Sequence, residues 1–145
     1  MQAHYFPLLG RFLWVYIALI VVVGGITGAL GIANAGTSLV PIMVAAMDGG
    51  GRFVKRAKRA PTSGEKWVLA AMHSLVSVLV AIPILVLMAA LAPELLSGVG
   101  ALIILAIVVG AFLFNVLVCR VFVWLGARNM VKKMGPQIGD AEVFQ

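Results

Sequence analysis

Charged side chains are scarce in this chain: they make up 11% of its 145 residues, and only five of them are acidic. A soluble domain needs far more charge than that to cover its surface, so the composition is not that of a water-facing globule. The single cysteine, Cys119, excludes an internal disulfide and any CxxC-type metal or redox motif. It sits in an apolar run, where a thiol behaves as a small hydrophobe. Two widely separated histidines, His4 and His73, cannot complete a zinc site with one cysteine. There is no HExxH pair, no glycine-rich phosphate loop, no paired carboxylates and no serine with a plausible histidine and acid partner. The expectation is therefore a non-enzyme with no catalytic residues, no bound metal and no cofactor.

What the chain has in abundance is apolar sequence. Hydrophobic residues account for 63% of it and the mean hydropathy is +1.12, gathered into long runs that call for lipid as solvent. A net charge of +6 and a pI near 10.1 would point to nucleic acid in a soluble protein. Here the basic residues flank apolar runs, where orientation in a membrane already requires them and anionic headgroups suffice as partners. The reading is the lipid bilayer and no nucleic acid.

Lipid offers no partners for unpaired backbone groups, so a crossing needs about 20 apolar residues as a helix. The first span runs from about Phe12 to Ile32 and holds no charge. Arg11 precedes it, and Asn34 to Ser38 form a small polar turn after it. A cleavable signal is the rival here, given Ala33-Asn34-Ala35, but the apolar stretch is about 20 residues against the usual core of about 7 to 15. The second span, Leu39 to Val54, is the weakest: it contains Asp48, three consecutive glycines and Arg52, and is about 24 Å long at the helical rise. Close packing or a local hinge should compensate for those glycines. A basic loop, 55–66, follows, in which Thr62 and Glu65 have the spacing of a capping box for the next helix. The third span, Trp67 to Leu91, carries Pro83, which predicts a kink. Ala92, Pro93, Glu94 and Ser97 make a turn, the fourth span covers Val99 to Leu125, and 127–145 reads as a flexible tail.

All eleven Lys and Arg fall in three places: Arg11, Arg52 to Lys66, and Arg120 to Lys133. Four spans put all three on one side, whereas three or five spans of the intact chain would divide them between both faces. The predicted architecture is an all-α polytopic membrane protein with four transmembrane helices and both termini in the cytoplasm.

Polar groups inside a membrane are costly and are the default functional candidates. They are Asp48, Arg52, His73, Asn115 and Arg120, all in the inner half, which permits one polar layer shared by spans two, three and four. In the sharper reading Asp48 is a protonatable carboxylate coupled to Arg52 or His73. In the plainer one, which is favoured, Asp48 pairs with Arg52, Arg120 snorkels to the headgroups, and His73 bonds to Ser77. Gly24 and Gly28 form a GxxxG pair that lets helices approach closely, with packing inside the same chain preferred over a dimer contact. Lys55, Arg56, Lys58 and Arg59 are candidate contacts to anionic lipid.

The segment from Arg52 to Lys66, lying between spans two and three, resembles the signature of an uncharacterised family of small four-span inner-membrane proteins of Gram-negative bacteria. That resemblance implies a bacterial inner-membrane location and carries over no catalytic residue. Small multidrug pumps share the layout but depend on a glutamate in the first span, which has no acid here. Immunity proteins against pore-forming bacteriocins are similar in general shape. The expected function is non-enzymatic, immunity-like or accessory, exerted through helix packing, a membrane-protein partner or a homo-oligomer. The alternative is a small oligomeric transporter or channel that uses Asp48.

Overall fold

The computed structural model describes residues 6–31, 35–91 and 100–135. Within them the chain forms four α-helices in sequence order: α1 (Phe6–Ala29), α2 (Ala35–Ala57), α3 (Ser63–Leu91) and α4 (Ala101–Met134). His4, Asn34, the turn at Ala92 to Ser97 and the tail 136–145 lie outside the described residues.

Three helices are long and apolar enough to cross a membrane: α1 over Pro7–Ala29, α3 over Ser63–Pro83 and α4 over Leu102–Met134. The expected count of four is thus met only in part, because α2 fails on composition. It has the length, with 23 residues. Its deficit comes from Asp48, the glycines and the basic residues at its C-terminal end, where leucines and isoleucines would otherwise stand.

The helices place that polar sequence in the middle of the bundle, with α2 against α4 as the most extensive contact and α1 next. One stripe of α2, made of Ile42, Ala45, Ala46, Gly49, Gly50, Phe53 and Val54, is buried. Its three-and-four spacing is that of a single helical face. The opposite face carries exposed Val40 and Val44, then half-buried Asp48 and Arg52, then exposed Lys55.

Among the described residues the core occupies one end. Leu8 and Phe12 from α1 meet Phe53 from α2, Leu69 and Ala70 from α3, and Cys119 and Val123 from α4. At the other end, Val21, Val22 and Ile26 of α1, Val86 and Leu87 of α3, and Leu102 to Val109 of α4 are exposed. In water each such side chain would lose about 1.5–3 kcal/mol by being left out. In lipid that penalty vanishes, so association rests on shape and dispersion.

Shape is set by glycine at two places. A Cβ on Gly50 would overlap the carbonyl of Val123, and one on Gly126 would overlap the carbonyl of Met47. Backbone therefore touches backbone where α2 crosses α4. The compensation expected for the glycine run is close packing, with no break in the helix. Gly24 and Gly28, by contrast, are exposed with nothing within 4 Å of a built Cβ. No described residue of this chain packs on that pair, so the intrachain close approach belongs to Gly50 and Gly126 instead.

The helix ends follow local chemistry. The Thr62 backbone N–H donates to Glu65 Oε2 at 2.9 Å, and the Glu65 N–H donates to Thr62 Oγ1 at 3.3 Å, so the capping box forms. α3 continues through Pro83 to Leu91 as one helix. α4 extends through 127–134, where a flexible tail was expected, because Ala127, Met130, Val131 and Met134 pack against Val54. Four residues at helical spacing, interleaved with Lys132 and Lys133, hide this apolar face in a basic stretch.

α2 ends with Lys58 in the left-handed region at φ 56°, its N–H bonded to the Val54 carbonyl at 2.9 Å. A side chain pays about 1–2 kcal/mol for that conformation and glycine pays almost none. Lys58→Gly should therefore stabilise the fold by about 0.5–1 kcal/mol, after allowing for the greater freedom of glycine in the unfolded chain. The check is a thermal melt, in which a lower midpoint for the variant would contradict the assignment.

Candidate functional site

Asp48 sits on the partly exposed face of α2, its side chain about one-third accessible. Arg52, one turn on, donates through Nε to Asp48 Oδ2 at 2.8 Å. Arg11 of α1 approaches the same oxygen at 3.5 Å. The carboxylate therefore faces two guanidinium groups, one on its own helix and one on a neighbour, and the second was not anticipated. The sequence shows Arg11 only as a residue flanking the first span, since nothing in a linear pattern pairs position 11 with position 48.

His73 and Ser74 are fully buried on α3, and His73 lies in the middle of the bundle. The imidazole stacks on the Phe12 ring, with centroids 4.1 Å apart and planes 6° from parallel. On its other side it presses on α2, so closely that a Cβ on Gly49 would lie 2.5 Å from His73 Cε1. Among the described residues neither ring nitrogen has a hydrogen-bond partner. The expected His73–Ser77 bond is not made: Ser77 Oγ donates instead to the Ser74 carbonyl at 2.8 Å. That alternative satisfies the hydroxyl within its own helix, as serine in apolar surroundings commonly does.

Arg120 of α4 stacks over the Trp67 ring of α3 at 4.2 Å. A cation on an indole face is held electrostatically while remaining near the interface. Asn115 is half-buried farther along α4. The candidate polar residues consequently form separate groups: Asp48 with Arg52 and Arg11, Arg120 with Trp67, and His73 inside. Among the described residues no hydrogen bond or ion pair joins these groups into one polar layer.

The loop cations divide as well. Arg59 forms a bidentate pair with Glu65, at 2.6 and 2.7 Å, and lies over the Phe53 ring at 5.4 Å. It thereby joins the end of α2 to the start of α3, a geometry that fork-shaped guanidinium suits better than ammonium. Arg56 and Lys58 are exposed. Lys55 instead lines a groove with Asp48 and Arg52 on one side and Lys132 and Lys133 of α4 on the other. In the linear sequence the last two fall in the stretch expected to be a tail, and only the packing of α4 brings them to the groove.

No family model, curated protein or solved structure matches the chain.

Proposed function

We propose that this chain is a bacterial inner-membrane protein with four crossings and cytoplasmic termini, acting by binding rather than catalysis in an immunity-like or accessory role. At about 34 Å for 23 residues, α2 is long enough to cross a hydrocarbon core of about 30 Å. Packed on its neighbours, it needs fewer lipid-facing apolar residues than a lone span. The contacts that bring Arg11, Arg52, Lys55, Lys132 and Lys133 to one end of the bundle support the orientation, since dispersed cations would be required on both faces by an odd number of crossings.

The observation that carries the non-transport reading is the double pairing of Asp48. A carboxylate that binds and releases a cation must lose its fixed partners at each cycle, and here two guanidinium groups already occupy it. The apolar end of the bundle is the surface on which a membrane-protein partner or a second copy would act. Proteoliposomes containing wild type and Asp48→Asn decide against the transporter. Both should show the proton and cation flux of empty vesicles, and a wild-type flux that disappears in Asp48→Asn would overturn the proposal.

A further inference from the structure

The α2–α4 groove has a volume of about 520 Å³ and a graded lining. Its cationic side chains are Arg52, Lys55, Lys132 and Lys133, against the single acid Asp48. That acid is already neutralised by Arg52 and Arg11. Among the described residues, no carboxylate lies within ion-pair distance of Lys55, Lys132 or Lys133. Three ammonium groups therefore converge on one opening with their charge uncompensated.

Towards the N-terminal side of α2 the lining turns apolar at Val44 and Met47, while Met130 of α4 supplies an apolar wall beside Gly51. From Val44 to Lys55 is eleven positions of one helix, or about 16 Å. The gradient runs from exposed valine, past flexible methionine, to lysine. Its origin is the glycine contact: α2 and α4 touch at Gly50 and Gly126, and the space flanking that contact is left to long side chains. Met130 reaches to within 3.4 Å of where a Cβ of Gly51 would stand. A free phosphate compound needs the cations but has no use for the apolar wall. An acyl chain with a phosphate headgroup needs both.

We infer that the groove between α2 and α4 is a binding site for an anionic phospholipid, and that its three free lysines favour a headgroup with two phosphates over one. Only the leaflet rests on the proposed orientation; the binding itself does not, because detergent-solubilised protein presents the groove whichever way it faced.

Native mass spectrometry of the full chain in detergent tests this with cardiolipin, phosphatidylglycerol, phosphatidylethanolamine and inorganic pyrophosphate as probes. Retention should fall in the order cardiolipin, phosphatidylglycerol, phosphatidylethanolamine. Lys132→Gln with Lys133→Gln should weaken cardiolipin roughly 10- to 30-fold. Lys132→Arg with Lys133→Arg should preserve it. Arg56→Gln with Lys58→Gln removes the same charge outside the groove and should change binding less than about twofold. Equal losses in the two glutamine pairs would mean diffuse attraction and overturn the site. Displacement of cardiolipin by an equal concentration of pyrophosphate would also overturn it, since the ligand would then be a free phosphate compound.

Discussion

Gly50→Ala and Gly126→Ala should each destabilise the bundle by about 2–3 kcal/mol or more, the upper range for overpacking, because the atom in the way is backbone and cannot rotate aside. At Gly50 it is the Val123 carbonyl, and at Gly126 the Met47 carbonyl. The two helices can make room only by separating along the contact that joins them most extensively. Gly24→Ala and Gly28→Ala should do the opposite. Beyond the backbone of its own helix, no described atom lies within 4 Å of either new methyl, and alanine gains up to about 1 kcal/mol of helix propensity over glycine. Cys119, the one cysteine and fully buried, supplies the readout, since a thiol-reactive fluorophore reports its exposure during a thermal ramp. Equal melting of all four variants would remove the basis for the α2–α4 contact.

The second large effect couples two neighbours. His73→Ala should cost about 2–4 kcal/mol, since it deletes a ring stacked on Phe12 and leaves a void at the centre of the core. Gly49→Ala should also be destabilising, because its methyl would meet His73 Cε1 and the ring, fixed by Phe12, has no room to withdraw. Combined, the two should cost less than their sum by about 1–2 kcal/mol, as the new methyl enters the vacated space. The same Cys119 melt completes the cycle. Strict additivity would show that His73 and Gly49 are not in contact. His73→Leu separates packing from polarity: it keeps volume and removes two unpartnered ring nitrogens, so it should recover most of the loss seen with alanine.

These contrasts show which parts of the molecule were legible in its residues. Runs of Leu, Ile and Val identify α1, α3 and α4, because a lipid-facing helix has to be apolar around its whole circumference. The capping box at Thr62 and Glu65 was readable for a different reason: it is built from residues three apart and depends on nothing distant. α2 was only half visible. A helix sheltered by others carries Ala and Gly where lipid-facing helices carry Leu, so hydropathy underrates it, and its pairing with α4 depends on Gly126, a lone glycine in a basic stretch. The GxxxG pattern at Gly24 and Gly28 illustrates the converse. Spacing indicates that a close approach is permitted and is silent on which helix arrives.

Among the site residues, Asp48 and Arg52 were paired by their four-residue spacing, as a helix requires. Arg11, Lys132 and Lys133 were not linked to them, because their proximity is a property of the packed helices. The position of His73 against Phe12 and Gly49 was equally beyond linear reading.

The most direct test concerns the one helix whose composition argues against its crossing the bilayer. In a Cys119→Ser background, Ala57→Cys places a thiol on the exposed C-terminal end of α2, where a membrane-impermeant maleimide can be applied to intact spheroplasts. Protection that is lost only on permeabilisation is the predicted result and places the basic segment in the cytoplasm, as four crossings from a cytoplasmic N-terminus require. Full labelling before permeabilisation would place that segment outside and contradict the four-crossing account.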